Sequence, residues 1–200
     1  MRIGIFGGTF DPIHIGHLLV AESVQHHMEL DAVIFIPAGR PWMKAAKRVS
    51  KAEHRFAMAE LAVEGRLGFS VSRVELDRPG PTYTIDTLEH MKSELGHEVD
   101  LYLILGMDSL RELPRWNQSK RLFELCALVG VSRPGYDDIV PAWLYEIGDG
   151  AYENVTLVRG PLVAISGTKI RTKVSDGESL ESWVPKLVED YITEHGLYGP

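Results

Sequence analysis

Short apolar runs alternate with longer segments of helical periodicity along this chain. Runs of strand length cover Arg2 to Phe6, Ala32 to Pro37, Leu101 to Leu105 and Ala127 to Val131, and the apolar residues from Ile15 to Met28 recur at helical spacing. Strands that alternate with helices indicate an α/β protein. The pattern therefore predicts a Rossmann-like, doubly wound parallel sheet with helices on both faces.

Local signals add further elements after the second strand. Ser50 followed by Glu53 forms a capping-box pattern, which predicts a helix that extends to about Glu64. The segment from Phe69 to Leu76 alternates apolar and polar residues and predicts a strand at an edge of the sheet.

Three more helices are predicted from their end signals. Thr84 is a candidate cap for a helix that runs to Leu95 and stops at Gly96. Ser166 is a candidate cap for a short helix through Arg171, and the last helix is predicted from Pro185 to Gly196.

The irregular parts are expected between the predicted elements. They are Ala38 to Val49 and Arg133 to Asn154. No stretch has the composition of an interdomain linker, so we expect residues 1–200 to form a single domain with one core.

Composition narrows the class of partner. The net charge of −7 disfavours bulk nucleic-acid binding, which needs a basic face, but it leaves small phosphates open. The longest apolar runs are too short to span a membrane. The single cysteine, Cys126, lies between Leu125 and Ala127, which favours a buried structural thiol and a cytoplasmic protein.

The segment GGTFDPIHIGH at residues 7–17 places chemistry directly after the first strand. Gly7 and Gly8 allow the backbone to approach a phosphate and to adopt unusual dihedral angles. The helix that follows directs its free N–H groups and the positive end of its dipole to the same place. His14 and His17 share one face of its first turn, and Gly16 leaves room for a ligand or a neighbouring helix.

Other interpretations of this segment remain open at this point. The glycines could form an ordinary tight turn, and the histidines could be satisfied core groups or metal ligands. A metal site needs at least a third ligand, and none follows at a recognisable spacing.

A second motif, ISGTKIR at residues 165–171, has phosphate-binding chemistry of its own. Ser166 and Thr168 supply hydroxyl and N–H groups at a helix start, and Arg171 can bind a phosphate through its planar fork. Alone, the segment would more readily be interpreted as an ordinary capped helix with a surface arginine.

Together the two motifs resemble the signatures of the HIGH nucleotidyltransferase superfamily. GPTYTIDTL at 80–88, LGMDSLRELPRW at 105–116 and SRPGY at 132–136 are similar to bacterial nicotinate-nucleotide adenylyltransferases, so the resemblance covers nearly the whole chain. Class I aminoacyl-tRNA synthetases share the His-Ile-Gly-His tetrapeptide, but this chain lacks their lysine loop and has no room for an anticodon-binding domain. Phosphopantetheine adenylyltransferases lack the three middle segments.

The resemblance implies a single nucleotidyltransferase domain that transfers AMP from ATP to nicotinic acid mononucleotide, with release of pyrophosphate. It implies ATP as co-substrate and Mg²⁺ held mainly by the ATP phosphates, with no metal-binding residues of the protein. The implied catalytic residues are His14, His17 and Arg171; the implied ATP-binding residues are Gly7, Gly8, Thr9, Phe10, Lys44, Gly106, Asp108, Arg133, Ile165, Ser166 and Thr168; and the implied acceptor-binding residues are Tyr83, Thr84 and Trp116.

Some of these residues also have simpler interpretations. Asp108 could be a helix cap, Trp116 a core tryptophan, and Arg133 a turn residue. Two departures from the family pattern stand out. Pro41-Trp42-Met43-Lys44 replaces Pro-Pro-His-Lys, which leaves the role of the missing histidine in doubt and suggests Trp42 as a lid. Gly167 stands where many relatives have Ser or Ala, which predicts a looser loop.

The expected mechanism needs no general base, because the attacking phosphate oxygen is already anionic near neutral pH. Catalysis is expected to rest on positioning and charge stabilisation. Two alternatives stay open: a nucleotide sensor without activity, and an adenylyltransferase that prefers the amidated mononucleotide. The expected partners are small molecules, not nucleic acid or membrane, and a homo-oligomer is also open.

Overall fold

The computed structural model describes residues 1–40, 49–132, 141–145 and 152–199, and its centre is a sheet of six parallel strands. Within this part of the chain the strands are β1 Arg2–Gly8, β2 Ala32–Pro37, β3 Phe69–Val71, β4 Asp100–Gly106, β5 Ala127–Ser132 and β6 Val155–Arg159. Their order in the sheet is β3-β2-β1-β4-β5-β6. The doubly wound parallel sheet predicted from the sequence is therefore confirmed.

Helices cover both faces of this sheet. Those in the described residues are α1 Ile15–His27, α2 Ala52–Val63, α3 Thr84–Leu95, α4 Met107–Glu112, α5 Leu122–Leu125, α6 Gly167–Ser175 and α7 Lys186–Glu194. Short 3₁₀ turns lie at Leu113–Arg115, Ser119–Arg121, Ala142–Tyr145 and Tyr152–Asn154.

The order in which the chain adds strands to the sheet reverses between β1 and β4, and the two strands separate there. Pairing of β1 with β4 ends at Ile5 and Leu103, whereas pairing of β1 with β2 continues to Gly8 and Pro37. Ligands of open α/β sheets bind where the strand order reverses, outside the carboxyl ends of the strands. The topology therefore places a crevice beside the first motif.

Alternation along the strands gives each face of the sheet its own core. Ile3, Ile5 and Leu103 contribute to one buried cluster, with apolar residues of α3, α4 and α5. Phe6 and Phe35 belong to the other, with residues of α1, α2, α6 and α7. Because successive side chains of a strand point to opposite faces, both faces need apolar residues, and this explains the nearly continuous apolar runs.

The predicted strand boundaries agree with the structure to within a residue or two, but two strands differ. β3 is an edge strand as predicted, yet it ends at Val71, and the chain then turns between Arg73 and Leu76. β6, the strand Val155–Arg159 at the other edge, was missed. Its only fully buried side chain is Val158, so its apolar pattern is weak.

Two predicted caps are wrong. The N-cap of α2 is Lys51, and the backbone of Ser50 instead bonds to the Asp11 carboxylate and the Arg55 guanidinium. Thr84 is the first residue of α3, whose N-cap is Tyr83. In contrast, Ser166 caps α6, its side chain accepting a hydrogen bond from the Lys169 N–H.

The remaining element predictions hold with small shifts. α6 continues beyond Arg171 to Ser175, and Pro185 is the N-cap of α7 rather than its first residue. Cys126 is buried, and burial raises the pKa of its thiol to about 12, as expected for a structural thiol. In the described ranges, no helix is both long and apolar enough to cross a membrane.

Candidate active site

Two cavities meet at the carboxyl end of β1, in the crevice between β1 and β4. The larger cavity has a volume of about 410 Å³ and extends towards β5, and the smaller cavity has about 250 Å³ and extends towards β2 and α3. Gly7, Gly8, Thr9 and Ser109 line both. A ligand in one cavity would therefore lie against a ligand in the other along a shared backbone wall.

The larger cavity contains most of the residues expected to bind ATP. Those that line it are Gly7, Gly8, Thr9, Phe10, His14, His17, Gly106, Asp108 and Ile165. Ile165 is the one expected residue of the second motif that lines this cavity; the other three, Ser166, Thr168 and Arg171, do not line it. Lys44 and Arg133, as well as Trp42 and Met43, lie outside the described residues.

The two histidines form a stacked pair at the start of α1. Their ring centroids are 3.7 Å apart with an interplanar angle of 22°. His17 Nδ1 accepts a hydrogen bond of 3.2 Å from the His14 backbone N–H. A neutral imidazole carries one proton, so this bond places the proton of His17 on Nε2. His17, which lines the larger cavity, thus carries its N–H donor on Nε2.

Two phenylalanines hold the His17 ring in place. Its centroid lies 5.0 Å from that of Phe10 and 6.1 Å from that of Phe6, both edge to face. Gly16 packs against the His14 ring, since a Cβ there would lie 3.1 Å from His14 Nδ1. The glycine therefore makes room for the His14 ring, and it also lines the larger cavity, as expected of a residue that leaves room for a ligand.

The first-motif glycines act through their lack of a side chain. Gly7 and Gly8 belong to strand β1, and the unusual positive φ of 48° falls on Phe10 instead. A Cβ on Gly7 would meet no atom within 4 Å, so a side chain there would extend into open space, whereas a Cβ on Gly8 would lie 2.7 Å from the Phe10 ring. The expected unusual dihedral angles of these glycines are wrong, but their backbone borders both cavities.

Arg171 is directed at the first motif rather than at open solvent. Its Nη1 donates to the Asp11 carbonyl oxygen at 2.6 Å, and its Nη2 donates to Thr168 Oγ1 at 3.3 Å. A Cβ on Gly167 would lie 2.8 Å from the same Asp11 carbonyl oxygen. Gly167 therefore allows α6 to pack closely on the first motif, and the predicted loosening of this loop is wrong.

The smaller cavity contains all three residues expected to bind the acceptor. Tyr83 and Thr84 line it from the start of α3, and Trp116 lines it from the segment after α4. The indole Nε1 of Trp116 is buried and has no hydrogen-bond partner within the described ranges. Trp116 also packs against the core cluster on this face, so its pocket and core interpretations both apply.

Sequence reasoning missed a buried arginine beneath the site. Arg55 is 1% exposed and donates to the carbonyl oxygens of Thr9 at 2.7 Å, Ala38 at 2.6 Å and Ser50 at 3.0 Å. Burial lowers its pKa, and the Asp11 carboxylate opposes this effect. Arg55 ties the segments after β1 and β2 together. The sequence signal that could have revealed Arg55 is a charged residue on the otherwise apolar buried face of α2.

Asp11 and Tyr198 form a second network that the sequence did not indicate. The Tyr198 hydroxyl donates to Asp11 Oδ1 at 2.7 Å, and the Ser50 N–H donates to Asp11 Oδ2 at 3.3 Å. Burial raises the pKa of Tyr198 well above its ordinary value. The far C-terminal segment therefore contacts the first motif, from 187 residues away.

A third missed residue is Glu75, which lines the smaller cavity. Burial raises the pKa of its carboxyl group, although hydrogen bonds from Thr87, Thr82 and the Gly39 N–H oppose the shift. No group of three or more His, Cys, Asp or Glu side chains suited to a metal ion occurs in the part of the chain that the structure describes.

Comparison with known proteins identifies the family that this chain resembles. Residues 5–173 match the cytidylyltransferase-like family model. The chain is 42% identical over 206 residues to a probable nicotinate-nucleotide adenylyltransferase of Dehalococcoides mccartyi, covering 99% of this chain and 97% of the relative. It is 46% identical over 196 residues to a protein of the same name in Roseiflexus sp., covering 98% and 97%.

Solved structures are similar in fold. A Plasmodium falciparum nicotinic acid mononucleotide adenylyltransferase complexed with NaAD superposes with a TM-score of 0.77 at 20% identity, covering 98% of this chain and 97% of the other. The same enzyme complexed with APC gives a TM-score of 0.75 at 19% identity, covering 98% and 96%.

Proposed function

Since this chain belongs to the nicotinate-nucleotide adenylyltransferases of the cytidylyltransferase-like family, we propose that it transfers AMP from ATP to nicotinic acid mononucleotide and releases pyrophosphate. One observation carries this proposal: two cavities share the backbone of Gly7, Gly8 and Thr9 at the point where the strand order reverses. An adenylyl transfer needs two nucleotides whose phosphates meet, and this arrangement supplies that geometry.

The larger cavity is assigned to ATP. His14 and His17 lie in its wall at the start of α1, where the helix dipole favours phosphate. Asp108 also lines it, after β4, in a position suited to a ribose hydroxyl. A Cβ on Gly106 would meet no atom within 4 Å, so the cavity is open there to a flat adenine ring.

The smaller cavity is assigned to the pyridine mononucleotide. Trp116 offers a flat face for the ring, and the free N–H groups at the start of α3 can bind its carboxylate. With the pyridine there, the 5′-phosphate of the acceptor would extend towards Gly7–Thr9, the wall that both cavities share.

The reaction follows from these placements. An anionic phosphate oxygen of the mononucleotide attacks the α-phosphorus of ATP, a new P–O bond forms, and the bond to pyrophosphate breaks. The Nε2–H of His17 is placed to donate to a phosphate oxygen as negative charge builds there. Arg171 has five N–H donors and uses two in the bonds to Asp11 and Thr168, so others can bind the departing phosphates.

Magnesium is part of the same proposal. The donor set described here offers isolated carboxylates such as Asp108 rather than a cage. Such a set suits Mg²⁺, which keeps several waters and binds chiefly to substrate phosphates. When bound, the ion would neutralise charge on the triphosphate.

Residues 1–200 are proposed to form a single nucleotidyltransferase domain. The single buried thiol favours a protein that acts in the reducing cytoplasm.

Pyrophosphate release tests this function directly. The purified protein is given ATP, Mg²⁺ and, in separate reactions, nicotinic acid mononucleotide, its amide and phosphopantetheine. We expect release with nicotinic acid mononucleotide and formation of the adenine dinucleotide. ATP binding without pyrophosphate from any acceptor would contradict the proposal and favour a nucleotide sensor. Release with phosphopantetheine alone would contradict the choice of acceptor.

A further inference from the structure

The smaller cavity contains an acidic side chain that the proposed reaction does not use. Glu75 lies on the segment between β3 and α3 and lines the cavity together with Tyr83, Thr84 and Trp116. A carboxyl group in a pocket for an anionic acceptor needs an explanation, because two like charges at close range repel. The hydrogen bonds of Glu75 provide one.

Glu75 is bonded to the first turn of α3. Its Oε1 accepts a hydrogen bond of 2.9 Å from the hydroxyl of Thr87, which is 2% exposed. The hydroxyl in turn accepts a bond of 3.3 Å from Arg78 Nη1, and Arg78 Nη2 donates to the Asp86 carbonyl oxygen at 3.1 Å. A relay of hydrogen bonds from Arg78 through Thr87 to Glu75 thus fixes this turn.

The segment that carries Glu75 also contacts the segment after β2. Gly39 and Thr82 oppose the rise in the pKa of the Glu75 carboxyl group, and the Thr82 hydroxyl donates to the Arg40 carbonyl oxygen at 3.4 Å. The backbones are in direct contact here, since a Cβ on Gly39 would lie 2.1 Å from the Glu75 carbonyl oxygen. Glu75 therefore joins three segments that surround the smaller cavity: the end of β2, its own loop, and the first turn of α3.

We propose that Glu75 is a positioning residue that determines acceptor specificity: it acts through Thr87 to hold the first turn of α3 where its N–H groups meet the pyridine carboxylate. The inference rests on the proposed function. The N–H groups of this turn donate hydrogen bonds, and a carboxylate only accepts them, whereas the NH₂ of an amide only donates. A turn that is held in place in this way therefore selects the acid.

Two pairs of variants test this role. Glu75→Ala removes every bond of the carboxyl group, whereas Glu75→Gln keeps one oxygen that can accept from Thr87. Thr87→Val removes the relay hydroxyl at nearly constant shape, whereas Thr87→Ser keeps it. Glu98→Gln, at an exposed glutamate on the loop before β4, is the matched control.

Steady-state kinetics with both mononucleotides distinguishes the outcomes. We expect Glu75→Ala and Thr87→Val each to raise KM for nicotinic acid mononucleotide about tenfold, to lower the acid-to-amide ratio of kcat/KM about tenfold, and to leave KM for ATP within about twofold. Glu75→Gln should be intermediate, and Thr87→Ser and Glu98→Gln should resemble the unmodified chain. If the first two variants raise both KM values in parallel, or leave the acid-to-amide ratio unchanged, the positioning role is wrong.

The two proposals fail separately. Pyrophosphate release by the unmodified chain with ATP and nicotinic acid mononucleotide reports on the proposed function alone. If Glu75→Ala does not fold, Thr87→Val carries the test, because valine is nearly isosteric with threonine and the effect on the acid-to-amide ratio is expected to be the same.

Discussion

At the scale of single residues, the site depends on which atoms of a side chain are already engaged in hydrogen bonds or in core packing. His17 Nδ1 is bonded to the backbone of His14, which leaves Nε2–H as its donor, and its ring is held by Phe6 and Phe10. Trp116 presents one face to the smaller cavity while its body packs into the core. Both side chains are held in place by their neighbours. We therefore expect mutation of His17 to change mainly kcat and mutation of Trp116 to change mainly KM for the mononucleotide.

His17→Ala removes the proposed donor to the triphosphate. We expect kcat to fall about a hundredfold or more, comparable to the loss of one preorganised donor in other enzymes. His27→Ala, at an exposed position near the other end of α1, is the control and should keep kcat. A folded His17→Ala protein with kcat within about threefold of the unmodified chain would refute the assignment.

Trp116→Ala removes the proposed stacking surface, which would bind the ground state and the transition state about equally. We expect KM for the mononucleotide to rise while KM for ATP changes little. Trp183→Ala serves as the control, because the Trp183 side chain contacts Lys173 and the opposite core cluster and lines neither cavity. An effect of Trp116→Ala on thermal stability alone would show that it is only a core tryptophan.

At the scale of elements, helix starts and strand ends form the site. α1 begins beneath the larger cavity, and α3 begins beside the smaller cavity. Free N–H groups at a helix start favour a carboxylate over an amide, because a carboxylate only accepts hydrogen bonds. Asp86, the acidic residue in the first turn of α3, does not line either cavity, so it does not oppose this preference.

Acceptor choice is therefore predicted from the start of α3. The amide NH₂ of the nicotinamide mononucleotide would face a second donor and lose the dipole attraction, at a cost of about 2–4 kcal/mol. We expect kcat/KM to favour the acid roughly 30- to 1000-fold. Steady-state kinetics with both mononucleotides at fixed ATP measures the ratio, and Asp86→Asn should leave it within about threefold. Equal values, or preference for the amide, would eliminate the carboxylate pocket and leave the adenylyltransferase assignment intact.

At the scale of the whole molecule, the first motif is held by segments from the rest of the chain. Arg55 from α2, Arg171 from α6 and Tyr198 from the C-terminal segment all bond to residues 9–11. Long-range bonds of this kind couple the stability of the C-terminal part to the geometry of the site.

Tyr198→Phe removes only the hydroxyl that bonds to buried Asp11. We expect the free energy of unfolding to fall by about 1–3 kcal/mol, because a buried acceptor loses a partner. Tyr191→Phe, on α7, is the control: its hydroxyl bonds to His54 and is less deeply buried than that of Tyr198, so its loss should cost about 0.5 kcal/mol or less. Urea denaturation of both variants measures the difference, and equal losses would show that the Asp11 contact is not special.

Apolar patterning and local motifs determined much of this protein. Continuous apolar runs can only be buried on both faces, so β1, β2, β4 and β5 follow from the sequence, and glycines and histidines after β1 indicate a phosphate site. Tertiary structure decided what depends on distant partners. Ser50 does not cap α2 because Asp11 and Arg55 engage its backbone, β6 forms because β5 offers an edge, and Glu75 lines the smaller cavity, where its carboxyl group is bonded to Thr87. Such bonds link residues far apart in sequence, and local periodicity carries no signal of them.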